Sequence, residues 1–223
     1  MMHISISAEM AEACPDLRIW ALSCEVKNTE SDPLLWEEIS RQEQVLRETL
    51  HIDEINKWLP VKATRQAYKK SGKDPNRYRP SAEALCRRVL RGLPLYRINT
   101  LVDIINLVSL KTGFSIGAFD IAKIRGEQII LGIGREGESY QGIGRGEFNI
   151  SGLPVYRDEL GGIGTPSSDE ERTKIELSTS RLLLIINGYS GAEGLPEAGA
   201  LASGLLTRYA SAAHIRKIEI NTL

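Results

Sequence analysis

Arg97-Ile-Asn-Thr-Leu-Val-Asp-Ile-Ile-Asn-Leu-Val-Ser-Leu-Lys-Thr-Gly113, followed closely by Gly117-Ala-Phe-Asp120, is the most informative stretch of this 223-residue chain. The spacing of Leu101, Ile104, Ile105, Val108 and Leu110 predicts an amphipathic helix over 100–112. Thr100 and Asp103, three residues apart, resemble a capping box. Gly113 supplies the left-handed stop at the other end. Two polar residues, Asp103 and Asn106, stand beside the apolar stripe. Neither is needed to make the helix, and Asn is a mediocre helix former. A polar group next to a buried face needs a partner or serves a pocket.

Working outward, the chain divides into an early helical part and a later part of short strands and glycines. Residues 2–7 alternate as a strand, and 17–26 read as a core strand. Asp32 followed by Pro33 opens a helix running to about residue 50, with Leu34, Leu35, Ile39, Val45, Leu46 and Leu50 on one face. Helices are predicted over about 62–71 and 81–91, the second opened by Ser81 after Pro80. Beyond the 100–112 helix, strand signals fall at 116–124, 128–133, 153–156 and 181–186. A last helix is predicted at about 194–210, and 215–220 can close a sheet. Helices clustered early and strands later argue for an α+β fold over a doubly wound one. The length suits a single domain over 1–223, with a strand-plus-helix N-terminal part to residue 80 and a pocket-bearing core from 81.

The composition, 42% hydrophobic and 26% charged, is ordinary for a globular protein. No apolar run has membrane-spanning length, so no membrane partner is expected. The N-terminal Met-Met-His-Ile-Ser-Ile-Ser carries no basic region ahead of an apolar core, which argues against a secretory signal. Cys14, Cys24 and Cys86 are odd in number and widely spaced, and three free thiols fit a reducing cytoplasm. Neither metal-ligand spacing nor a Ser-His-Asp or Cys-His arrangement emerges, and no cofactor is expected. A formal net charge of −1 does not announce a nucleic-acid binder. The stretch 62–97 is nevertheless rich in Lys and Arg, with Tyr68, Tyr78 and Tyr96 interleaved. Such a stretch can track a phosphate backbone and stack on unpaired bases, which makes Lys69, Lys70, Arg77 and Arg79 candidate RNA contacts. The alternative is a solvated helical face balanced by the acidic 30–54 segment.

Gly-Ile-Gly occurs three times, at 132–134, 142–144 and 162–164. The first completes G-x-G-x-x-G, but the residues after it are turn-like, and a dinucleotide site needs a helix to begin there. Hairpin turns are the better reading. The third repeat lies in richer chemistry, between Arg157 and Thr173. Backbone amides in a glycine-rich turn can converge on an oxygen, and Thr165, Ser168, Glu170, Arg172 and Thr173 add hydroxyls, a carboxylate and a cation. The competing reading is a solvated loop in which Glu170 and Arg172 form a surface pair.

The 97–120 string resembles the R-P-I-N-x-V-V-D-I-T-N-Y-V…G-x-x-x-H-A-F-D segment of the tRNA-editing domain of the phenylalanyl-tRNA synthetase β subunit. Arg97, Asn99, Val102, Asp103, Asn106, Val108, Gly113, Ala118, Phe119 and Asp120 carry the match. The resemblance implies a three-layer sandwich of two β-sheets and a helical layer. It implies a pocket walled by Asn106, Gly117, Gly162, Gly164, Thr165 and Glu170, with Asp169 the alternative to Glu170 across an ambiguous gap. The family's histidine before Ala-Phe-Asp is Gly117 here, and its threonine before the asparagine is Ile105.

The expected function is binding of aminoacyl-tRNA ends, with hydrolysis of the ester of mischarged tRNA in trans. In that reading Asn106 orients the ester or water, the Gly162–Thr165 amides hold the oxyanion, Glu170 reads the side chain, and Arg157 or Arg172 faces a phosphate or carboxylate. The other class is a non-catalytic module binding RNA, a free amino acid or a protein. A complete synthetase is not expected of one domain of this size without an ATP-binding signature.

Overall fold

The computed structural model describes residues 2–223. The N-terminal part supplies β1 (His3–Ile6), α1 (Ala8–Ala13), β2 (Arg18–Glu25), α2 (Pro33–Thr49), α3 (Leu59–Lys70) and α4 (Ser81–Leu90). α5 (Thr100–Thr112) leads into β3 (Ile116–Asp120), β4 (Gln128–Ile133), β5 (Ser139–Gly142), β6 (Gly146–Asn149), β7 (Pro154–Asp158), β8 (Gly161–Thr165) and β9 (Ser168–Asp169). β10 (Arg181–Gly188), α6 (Leu195–Ala210), β11 (Ala213–Lys217) and β12 (Ile220–Thr222) complete it.

Local chemistry sets most of these boundaries. The Asp32 carboxylate accepts from the Leu34 and Leu35 amides, 2.9 and 3.1 Å, ahead of the first-turn proline of α2. In α2 the buried side chains are Leu35, Trp36, Ile39 and Leu46, while Leu34 and Val45 face solvent at the margins of the predicted stripe. α5 ends as expected on Gly113, φ 77°. Its start differs from the capping-box expectation. Asn99 is the cap, accepting from the Val102 amide at 3.0 Å. Thr100 instead bonds the Thr29 hydroxyl, and Asp103 accepts from the Trp36 indole at 2.6 Å. The predicted 116–124 strand stops at Asp120, whose carboxylate accepts from the Ala122 amide at 3.0 Å and the Thr179 hydroxyl at 2.8 Å, turning the chain into a 3-10 segment.

Three layers result. The four-stranded antiparallel sheet runs β11-β2-β10-β3, and the six-stranded sheet runs β12-β1-β4-β7-β8-β9. Period-two alternation divides β10 between two cores. Leu182, Leu184 and Ile186 pack toward α2, α4, α5 and α6, whereas Leu183 and Ile185 pack toward Ile4, Ile129, Leu131 and Ile163 of the other sheet. This double burial is why 182–186 reads as an unbroken apolar run. The anticipated 215–220 strand is two strands: β11 pairs with β2, and after Ile218 and Glu219 the chain crosses to pair β12 with β1 in the other sheet. The architecture is the α+β sandwich of two sheets and a helical layer.

Candidate functional site

β3 and β9 each form one edge of their sheet. Where they approach, beneath α4 and α5, lies a cavity of about 440 Å³. Its walls are mostly apolar: Leu85 from α4, Val102 and Ile105 from α5, Ile116 and Ala118 from β3, and Ile143 from the turn joining β5 to β6. Ile98 and Ile175 extend the wall, and the polar groups are Ser81, Asn106, Ser109, Asp169 and Lys174. An apolar recess with a few convergent polar groups is the usual form of a small-ligand site.

The two polar residues of α5 separate by role. Asp103 is fully buried and held by the Trp36 indole and, at 3.3 Å, the Ile98 amide. Burial pushes its carboxyl up, opposed by those two bonds and by Arg97. Asn106 lies on the cavity wall and makes no side-chain hydrogen bond to a described residue. One turn of helix thus assigns Asp103 to structure and leaves Asn106 facing the space.

Asp169 faces Asn106's cavity from the opposite element. A hydrogen bond from the backbone of Ala118, on edge strand β3, favours its charged form. Burial in these apolar surroundings pushes the Asp169 carboxyl up to about 8. The close approach depends on Gly164: a Cβ there would sit 2.4 Å from an Asp169 carboxyl oxygen and 2.7 Å from the Phe119 ring. The Ile143 amide donates to the Asp169 carbonyl at 3.0 Å, which fastens the β5–β6 turn over the cavity.

Glu170, favoured over Asp169 from the sequence, points elsewhere. Its carboxylate accepts from the Arg172 amide at 2.9 Å and stands 3.5 Å from the Arg172 guanidinium. Successive side chains of an extended segment take opposite faces, so only one of the two acids can reach the cavity. Arg172 itself forks onto Asp158 at 2.9 and 3.0 Å, and Arg157 pairs with Glu138 and donates to the Ile133 carbonyl. Both arginines are therefore engaged internally. Thr165 holds the β8–β9 turn: its hydroxyl donates to the Ser168 carbonyl at 2.9 Å and accepts from the Ser167 and Ser168 amides. Thr173 is buried, its hydroxyl 3.5 Å from the Ile163 carbonyl. Gly162 packs against Tyr140, where a Cβ would lie 2.9 Å from the ring. Gly117 shares its side of β3 with Phe119, while Ile116 and Ala118 line the cavity. A side chain at 117 would therefore point into the layer between the sheets. None of His3, His51 and His214 borders the cavity. The first glycine repeat ends β4 and leads to a turn without a helix, consistent with discounting a dinucleotide site.

The basic stretch is partly spent on internal contacts. Arg65, Arg79 and Arg87 converge on the fully buried Glu83 at 2.9, 3.3 and 2.8 Å, so the balancing acid comes from α4 and not from the 30–54 segment. Lys73 bonds Asn149 across to β6. Lys69, Lys70 and Arg77 remain exposed. Sequence reasoning passed over Ser81, Leu85, Ile143, Lys174 and Ile175 as wall residues. Only Ile143, inside the second glycine repeat, carried a signal, an apolar residue in a turn.

Residues 63–194, more than half of the chain and the whole cavity wall, match the B3/4 domain family. Over 99% of its length the chain is similar in fold to the crystal structure of an N-terminal fragment of the phenylalanyl-tRNA synthetase beta-subunit from Pyrococcus horikoshii, with a TM-score of 0.54 and 13% identity. It spans 52% of that fragment. At this identity the likeness concerns the fold. No curated protein matches the chain. The chain belongs to the B3/4 domain family.

Proposed function

We propose that this domain receives the aminoacyl end of a charged tRNA and hydrolyses the ester that joins the amino acid to the terminal ribose. The observation that carries this reading is that Asn106 and Asp169 share the wall of a mostly apolar cavity of about 440 Å³. The amino-acid side chain enters against Val102, Ile105, Ile116 and Ile143. The Asn106 amide, without a hydrogen bond to a described residue, orients the ester carbonyl. Ionised Asp169 takes a proton from water as the water oxygen bonds to the carbonyl carbon. The tetrahedral intermediate then collapses, the carbon–oxygen bond to the ribose breaks, and the proton passes to the departing ribose oxygen. A carboxyl near pH 8 is well matched to that exchange. Exposed Lys69, Lys70 and Arg77 give the RNA backbone its contacts.

The test is deacylation of a panel of mischarged tRNAs, Tyr-tRNA(Phe) among them. Asn106→Ala and Asp169→Asn should each slow hydrolysis about 10²-fold, the usual worth of a positioned acid–base or oxyanion group. Binding without hydrolysis across the panel would transfer the reading to a non-catalytic module that takes the same ester or a free amino acid. Hydrolysis indifferent to both variants would remove the cavity from the chemistry.

A further inference from the structure

Val102, Ile105, Asn106 and Ser109 follow one another on α5 at i, i+3, i+4 and i+7, so one face of the helix forms a wall of the cavity. Exposure falls along that wall. Ile98, just ahead of the helix, is 55% exposed at the lip, Val102 and Asn106 are half-buried, and Ser109 is 2% exposed. Ser109 therefore stands at the floor, three residues and about 4.5 Å further along the helix axis than Asn106.

The walls near it are apolar: Ile105 from α5, and Ile116 and Ala118 from β3. The Ser109 hydroxyl makes no hydrogen bond to a described residue. A serine or threonine inside a helix can satisfy itself by donating to the carbonyl four residues back. Thr64, Thr112 and Ser203 do so here, at 2.8, 2.8 and 2.9 Å. Ser109 does not. The little surface it keeps opens on the cavity, so the hydroxyl is within reach of whatever enters. Buried polar groups are almost always paired, and an unpaired one is costly. A hydroxyl both donates and accepts, and another hydroxyl complements it on both counts.

We propose that Ser109 is the specificity residue of this cavity: its hydroxyl pairs with a hydroxyl on the substrate's side chain, so the site takes a hydroxyl-bearing amino acid in preference to its apolar isostere. The proposal rests on the reading of the cavity as the aminoacyl site. The ester lies at Asn106, the apolar stem runs past Ile105 and Ile116, and the tip meets Ser109. An isostere without the hydroxyl fills the same space and leaves Ser109 dry and unpaired, which is the source of the discrimination.

The test uses two isosteric pairs, threonine with valine and tyrosine with phenylalanine. Each amino acid is offered as its ester on tRNA and as the non-hydrolysable amide of an aminodeoxyadenosine. Hydrolysis and amide binding should favour the hydroxyl-bearing member of at least one pair about tenfold or more, the worth of a buried hydrogen bond, and that pair gives the side-chain length the cavity takes. Ser109→Ala should bring the ratio close to one, whereas general damage to the fold would slow both members alike and leave the ratio standing. Without ligand the variant should melt at an unchanged or higher temperature, because no hydrogen bond is lost and alanine is the better helix former. Equal treatment within both pairs, or a preference that survives Ser109→Ala, overturns the proposal and leaves deacylation intact. So does a lowered ligand-free melting temperature, which would mean the hydroxyl already has a partner. Amides bound with a Ser109-dependent preference, but no ester hydrolysed, would sink the deacylase and keep the specificity. Neither hydrolysis nor amide binding would sink both.

Discussion

Asp169→Asn is the substitution that most directly questions the site. An aspartate of ordinary value 3.8 stands at about 8 in the folded protein because burial disfavours its charged form. The folded state then keeps a proton that the unfolded chain releases. The contribution of this one group to stability is greatest below about pH 4, falls as pH rises through the window up to about 8, and levels off above it. At about 1.4 kcal/mol per pH unit the full shift would cost about 5–6 kcal/mol. Part of the carboxyl opens to the cavity, and solvent screening reduces the cost to about 3 kcal/mol at pH 8. Asparagine keeps the shape and an acceptor for the Ala118 amide while removing the titration. Urea denaturation of both proteins from pH 5 to pH 8 should show a gap that widens with pH, the variant ending about 3 kcal/mol more stable. A gap that does not change with pH would refute the buried-acid reasoning. A gain in stability with a loss of deacylation would mark Asp169 as a residue kept for chemistry at the expense of the fold.

Other perturbations probe neighbouring parts of the argument. Deacylation by the unaltered protein should rise with pH through about 8 as Asp169 ionises, a profile absent in Asp169→Asn. Glu83→Gln leaves three arginines around an uncharged, fully buried amide and should cost about 3–5 kcal/mol in urea denaturation. Gly164→Ala forces a methyl group against Asp169 and Phe119, and should cost about 1–3 kcal/mol while slowing deacylation. Glu170→Ala should leave deacylation within a few-fold and lose about 1 kcal/mol in melting experiments, because its carboxylate caps a turn and pairs with Arg172.

The elements most legible in the sequence were those with strong local signals. The Asp32-Pro33 start of α2, the Gly113 end of α5 and the periodicity of α6 each report interactions within a few residues. The strands β5, β6, β8 and β9 read from the sequence only as glycine-rich turns, because five residues or fewer around Gly142 or Gly164 leave little pattern to read. The α5 cap was misassigned because Asn99, Thr100 and Asp103 are all plausible cap or box residues in isolation. Partners from elsewhere, Thr29 and Trp36, claim Thr100 and Asp103 and leave Asn99 to cap. The arginines were also misleading at a distance: composition counts Arg65, Arg79 and Arg87 as surface charge, whereas a single buried Glu83 gathers them inward.

By itself the sequence determined the α+β class, the central helix with Asn106 beside its apolar stripe, and the glycine-rich turns after it. These depend on backbone preference and on the period of burial, which neighbours along the chain enforce. Only the tertiary structure decided which polar residue faces open space. Asn106 and Asp169 lie far apart in sequence and meet because the edges of two sheets converge under α4 and α5. The choice between Asp169 and Glu170 turns on strand parity at that edge, where one step along an extended chain exchanges the cavity for the Arg172 side.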